Sequence, residues 1–215
     1  MPSNISASMT STKPKRKSSE IIVRWILHPT VHLGSVLPLL WLVYAIPHNL
    51  LGGDPVKDLI HYLGLGALRL LLLTLAITPL VNIFGFKQLN RLRRPLGLWC
   101  YAWASLHFFS WLYLDLGFDW SLIGSEIVKR TYILIGFSAW LILGAMAVTS
   151  LPALVRKMGK RWKKLHGLIY LAVLLGCWHF WWSLKSGWIE PAFYLVVVAL
   201  LFWFRRDKIV RWLMR

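Results

Sequence analysis

With 57% apolar residues, 15% charged residues and a mean hydropathy of +0.57 over 215 positions, the chain lies outside the composition of an ordinary soluble domain. Its formal charge of +17 would suit a nucleic-acid binder if the cations gathered on one folded surface or tail. They fall in the gaps between apolar segments instead, which excludes that class and points to a membrane protein.

The first 19 residues, rich in Ser, Thr, Pro and Lys, cannot bury a core and are expected to be disordered. Residues 1–27 read as a basic approach to the membrane. The first apolar segment is long, carries Trp25, Trp41 and Tyr44, and lacks a small-residue cleavage site, so it is expected to stay as a helix. Six segments approach the roughly 20 residues needed to cross a hydrocarbon core about 30 Å thick. They lie at 31–47, 66–84, 96–114, 132–150, 166–183 and 188–204. All six are predicted as helices, because backbone in a bilayer must satisfy its own hydrogen bonds and these runs exceed a barrel strand. Pro38 and Pro79 fall inside two of them. The expected fold is therefore an all-α bundle of six transmembrane helices over 28–204, with a basic tail at 205–215.

The connections alternate in basicity. The N-terminus, the 85–95 loop, the 151–165 loop and the C-terminal tail together hold 20 of the 25 Lys and Arg residues. By the positive-inside rule these four regions, both termini included, are expected to face the cytoplasm. The opposite loops hold only Lys57, Lys129, Arg130 and Lys185. In the first of them, "DPVKD" at 54–58 with His61 reads as a Pro turn and helix cap. Cys100 and Cys177 fall at different depths in two membrane segments, which favours small-residue packing over a disulfide.

Two histidines lie deep inside apolar runs. His107 is eleven residues into the third helix and His179 thirteen into the fifth, and both helices run outward, so the two imidazoles reach similar heights. An ionisable side chain at that depth is a functional candidate. One reading is haem iron held by an imidazole on each face; the other is that each ring hydrogen-bonds a neighbouring helix. His166 stands about 20 Å below His179 on the same predicted helix, a height that suits a second, inner haem. Thirteen steps of about 100° put the two rings on nearly opposite sides of a regular helix, so an inner haem requires a bend or different partner helices. The position 13 before His107 is Arg94, which cannot ligate iron, leaving His32 as the candidate for the other inner ligand. Arg69, near the predicted outer end of the second helix, could pair with a haem propionate or snorkel to the interface.

"GGDPVKDLIHYLG" at 52–64, "ITPL" at 77–80, "RRPLGLWCYAWASLH" at 93–107 and "KRWKKLHGLIYLAVLLGCWHFWW" at 160–182 occur in this order. Together they resemble the MsrQ family, formerly YedZ, within the ferric-reductase-like transmembrane group. The resemblance runs from about residue 28 onward. It implies a multi-pass bacterial inner-membrane cytochrome with haem b, one or two per chain, and FMN as a further cofactor. Such a subunit passes electrons from the quinone pool to a periplasmic molybdopterin-containing methionine sulfoxide reductase that repairs oxidised envelope proteins. His107, His166 and His179 match the family's haem-linked histidines, and Asp54, Asp58 and His61 are candidates for contact with the reductase or a quinol. The resemblance makes the chain an electron-transfer subunit and not a complete enzyme. "GLG" at 64–66 lacks the strand and third glycine of a dinucleotide fingerprint, so NAD(P)H oxidation is not expected here. A transmembrane ferric or cupric reductase and a haem-free transporter or scaffold are the alternatives.

Overall fold

The computed structural model describes residues 23–184 and 187–214. The predicted disordered segment at 1–19 lies outside them, as does most of the 1–27 approach. Every regular element among the described residues is helical. A π-helical turn at Val23–Leu27 leads directly into α1 (His28–Ala45), which starts three residues before the predicted segment.

The second helix, α2, runs Pro55–Phe84 and begins eleven residues before the predicted start at 66. The reason is local: the Asp54 carboxylate accepts the Lys57 backbone N–H at 3.2 Å, and Pro55 occupies the first helical turn where its missing N–H costs nothing. The helix cap expected at 54–58 is present, whereas the external loop expected between 47 and 66 stops at Asp54, so Asp58 and His61 are helical. Arg69, predicted near the outer end, lies in the middle of a helix roughly 45 Å long. Pro79 cannot donate to the carbonyl four residues back, and Arg205 Nη1 donates to that Leu75 oxygen at 3.2 Å. Gly85 ends α2 at φ 69°, a left-handed cap whose N–H donates to Val81 O.

A 3₁₀ turn at Lys87–Leu92 precedes α3 (Arg93–Ser110), and a π-helical turn at Trp111–Asp115 follows it. Helix α4 (Trp120–Lys129) was not expected in the external loop. It is capped by the Asp119 carboxylate, which accepts from the Ser121 and Leu122 N–H groups. After α5 (Thr131–Val148), the predicted loop at 151–165 folds into two short helices, α6 (Pro152–Met158) and α7 (Lys160–His166). A turn at Gly167–Leu168 separates α7 from α8 (Ile169–Ser183), so His166 and His179 do not share one regular helix. Helix α9 (Ile189–Leu213) continues nine residues past the predicted span, through most of the stretch expected to be a tail.

Helix α2 is the hub, packing along α3 and also meeting α8 and α9; α5 pairs with α8 and touches α3. Leu75 and Val173 are fully buried in the core that α2 shares with α8, and Cys100 donates its thiol to Ala67 O across the α2–α3 contact. Cys100 and Cys177 are both free and buried. Helix α1 is tied on by Trp103 Nε1, which donates to Ser35 O at 3.1 Å. Its other face exposes Leu33, Leu37, Leu40 and Val43. Among the described residues, four helical stretches are long and apolar enough to cross a membrane: 25–45, 55–84, 131–148 and 160–183. The remaining long helices, α3 and α9, are less apolar, since α3 opens on Arg93 and Arg94 and α9 carries Glu190, Arg205 and Arg206.

Candidate functional site

His107 and His179 meet with ring centres 6.0 Å apart and planes at 75°. His107 lies in the last turn of α3, just before the π-helical turn, a distortion common beside functional residues. Its Nδ1 is 2.8 Å from Ile60 O on α2, and His179 Nδ1 is 2.7 Å from Tyr132 O on α5. A carbonyl oxygen only accepts, so each ring carries its proton on Nδ1 and leaves Nε2 unprotonated. That is the tautomer of a histidine metal ligand oriented by its other nitrogen.

The two anchors repeat one device. Each histidine bonds the carbonyl 47 residues before it and packs on the glycine four residues after that carbonyl. A Cβ at Gly64 would stand 3.1 Å from the His107 ring, and one at Gly136 would stand 2.6 Å from His179 Nδ1. Glycine therefore lets each imidazole reach a carbonyl that a side chain on the next turn would cover. Nothing in the histidine spacing alone pointed to Gly64, Gly136, Ile60 or Tyr132; an isolated glycine in an apolar helix was the available signal.

The donor set fits a haem. Among the described residues no third His, Cys, Asp or Glu completes a metal-binding group. A bare ion needs about four donors, whereas a porphyrin brings its own four nitrogens and takes axial ligands from the protein. With ring centres 6.0 Å apart, His107 of α3 and His179 of α8 are the residues that would hold such a group.

The other sequence candidates are placed differently. His61 lies on α2 beside this pair, its ring 5.6 Å from that of Phe180. His166 is engaged away from it, with Nε2 3.1 Å from Thr149 Oγ1 and its ring stacked 4.0 Å from Trp162. His32 accepts the Trp99 indole N–H at 2.9 Å and lines a groove of about 450 Å³ with His28, Arg94, Pro95 and Leu98. Arg69 donates from Nε to Tyr194 Oη at 2.8 Å and lies 4.0 Å from Glu190. Asp54 caps α2, and Asp58 stands in its first turn.

Residues 63–177 match the family described as the ferric reductase like transmembrane component, a stretch that holds His107 and His166 and stops just before His179. A relative from Cronobacter sakazakii (strain ATCC BAA-894), described as the protein-methionine-sulfoxide reductase heme-binding subunit MsrQ, is 44% identical over 191 residues. The alignment covers 88% of this chain and 95% of that protein. Four apolar helices within a transmembrane family fold make the molecule a multi-pass membrane protein. The chain belongs to the MsrQ family of haem-binding membrane subunits, within the ferric-reductase-like transmembrane group.

Proposed function

We propose that the chain is a b-type cytochrome subunit that carries electrons from the quinone pool, across the bacterial inner membrane, to a periplasmic molybdopterin-dependent methionine sulfoxide reductase. The observation that carries this reading is the His107–His179 pair, with both Nδ1 atoms spent on backbone carbonyls and both Nε2 atoms left for iron. Haem supplies reversible one-electron chemistry when bound. The residues supply the rest. Ile60 O and Tyr132 O hold the imidazoles against rotation, while Phe180 and the apolar faces of α2 and α8 exclude water.

The helix order supports six spans with both termini cytoplasmic, α3 and α9 completing the four more apolar helices, because the basic loops then share one side. A quinol head group would suit the groove between α1 and α3, where apolar Pro95, Leu98 and Ala102 adjoin His28, His32 and Arg94. From its edge, Trp99, Trp103 and His107 recur every four residues on one face of α3, leading toward the imidazole pair. Asp54, Asp58 and His61, at the outer start of α2, are the proposed contact with the soluble reductase. Sulfoxide reduction would take place on that partner, since Cys100 and Cys177 are both buried and belong to different helices. FMN stands as a second cofactor by family likeness. The count proposed is one haem on the pair, since an inner haem would require His166 to release Thr149.

A reduced-minus-oxidised spectrum with a pyridine haemochrome count on detergent-purified protein tests this. Sharp b-type bands at one haem per chain, lost in His107→Ala and His179→Ala, are expected. A preparation that stays colourless after haem reconstitution would overturn the reading, and chelated-iron reduction without the partner would favour the ferric reductase alternative.

A further inference from the structure

At the end of the bundle that carries the basic loops, two guanidinium groups converge on one turn of α2. Arg93 Nη2, from the start of α3, donates to Thr78 Oγ1 at 2.5 Å; Arg205 Nη1, from α9, donates to Leu75 O at 3.2 Å. Leu75 and Thr78 are three residues apart and share a face of α2. Arg205 is 9% exposed and its guanidinium sits 5.4 Å from the centre of the Tyr170 ring. Lys208, three residues after Arg205, lies on the same face of α9 with its side chain exposed.

The carbonyl freed by Pro79 accounts for one of these hydrogen bonds and for nothing else. Arg93 Nε and Arg205 Nε are buried without any partner. Among the described residues no carboxylate pairs with either; Asp207, the acid nearest in sequence, is largely exposed and lies beside Arg206. A guanidinium stays charged at any working pH and cannot escape burial by losing a proton. The buried Arg205 and the half-buried Arg93, each with a buried Nε donor unspent, leave a desolvation cost that a bound anion would offset. The dipole of α2 does not serve, because it acts within the last turn and Leu75 lies nine residues before Phe84.

We propose that Arg93, Arg205 and Lys208 form a binding site for a phosphate group. Three cations exceed what a single carboxylate neutralises, and the planar guanidinium fork matches two phosphate oxygens at once. The group can come from the headgroup of an anionic phospholipid or from a soluble phosphate compound. The site is independent of the haem reading, because none of its residues touches the imidazole pair.

Thermal unfolding of the delipidated full chain tests the site at constant ionic strength. The probes are inorganic phosphate in detergent, and bilayer nanodiscs of phosphatidylcholine with or without phosphatidylglycerol. The site predicts a midpoint rise of a few degrees that disappears in Arg93→Gln and shrinks in Lys208→Gln. A rise with phosphatidylglycerol alone assigns the lipid headgroup; a rise with inorganic phosphate in detergent assigns a soluble source. Arg205→Gln also strips the Leu75 carbonyl of its donor and can unfold the chain, so Arg93→Gln and Lys208→Gln carry the test. No rise with either probe, or the same rise in all variants, would overturn the proposal whether or not the protein binds haem.

Discussion

The two ends of the bundle treat their polar side chains in opposite ways. At the end proposed as outer, His107 and His179 spend Nδ1 on a backbone carbonyl and leave Nε2 free, in mirrored settings built on Gly64 and Gly136. At the end proposed as inner, each histidine also engages one ring nitrogen but with the opposite proton placement: Thr149 Oγ1, whose own proton goes to Ala145 O, accepts from His166 Nε2, and His32 Nδ1 accepts from Trp99, so both rings carry the proton on Nε2. The difference teaches that depth and residue type are insufficient to identify a ligand. What sets the His107–His179 pair apart is that backbone carbonyls hold both protons on Nδ1 and leave Nε2 unprotonated, the arrangement a metal ligand needs.

The largest expected effect breaks the comparison at its outer end. His107→Ala or His179→Ala should remove essentially all haem absorbance while the chain stays in the membrane, whereas His166→Ala should keep the outer haem at full stoichiometry; a haemochrome assay on the three variants decides. Loss of half the haem in His166→Ala would show instead that both ends hold iron.

Smaller effects come from the glycines. Gly136→Ala places a methyl group 2.6 Å from His179 Nδ1, and Gly64→Ala one at 3.1 Å from the His107 ring. The first should displace its imidazole and lower haem occupancy several-fold, the second only modestly, measured as haem per chain after identical expression. Equal occupancy in both would mean that the helices shift apart freely and that the glycines do not position the rings.

Thr149→Val tests the inner end. It strips His166 Nε2 of its partner and should destabilise the protein by about 1 kcal/mol with no change in the haem bands. A changed spectrum would place His166 on iron.

The smallest effect lies outside both ends, at α4. The Asp119 carboxyl is held below its ordinary value by the Ser121 hydroxyl, then by the Ser121 and Leu122 N–H groups. Its folded pKa is thus depressed. The capping contribution is complete above the ordinary Asp pKa of about 3.9 and fades as pH falls through the lower folded value. Amide exchange should find α4 equally protected between pH 7 and pH 5 after correction for intrinsic rates, and less protected in Asp119→Ala across that range. Equal protection in wild type and variant would dismiss the cap.

Hydropathy and the charge pattern were legible without coordinates. Each of the six predicted segments falls on a helix, the fifth only from Ile169 after a turn, because the need to satisfy backbone in lipid makes such apolar runs helical. Errors came where composition carries no signal. The start of α2 depended on one cap at Asp54, and α4, α6 and α7 formed inside connections whose polarity suggested loops. At the site, the residue types and their depth singled out His107 and His179, since imidazoles are costly in lipid and conspicuous in an apolar run. His166, alike in type, drew the same attention, and only its contacts set it apart.

The sequence by itself determined that this chain is helical, belongs in a membrane and carries imidazoles at a common depth, for these follow from local composition and a rise of about 1.5 Å per residue. Tertiary structure decided that α3 and α8 turn their histidines toward one another, that Ile60 and Tyr132 choose the tautomer, and that Arg93 and Arg205 share one turn of α2. Those outcomes join residues 15 to 130 positions apart. They depend on how helices rotate and pack, which no local pattern encodes.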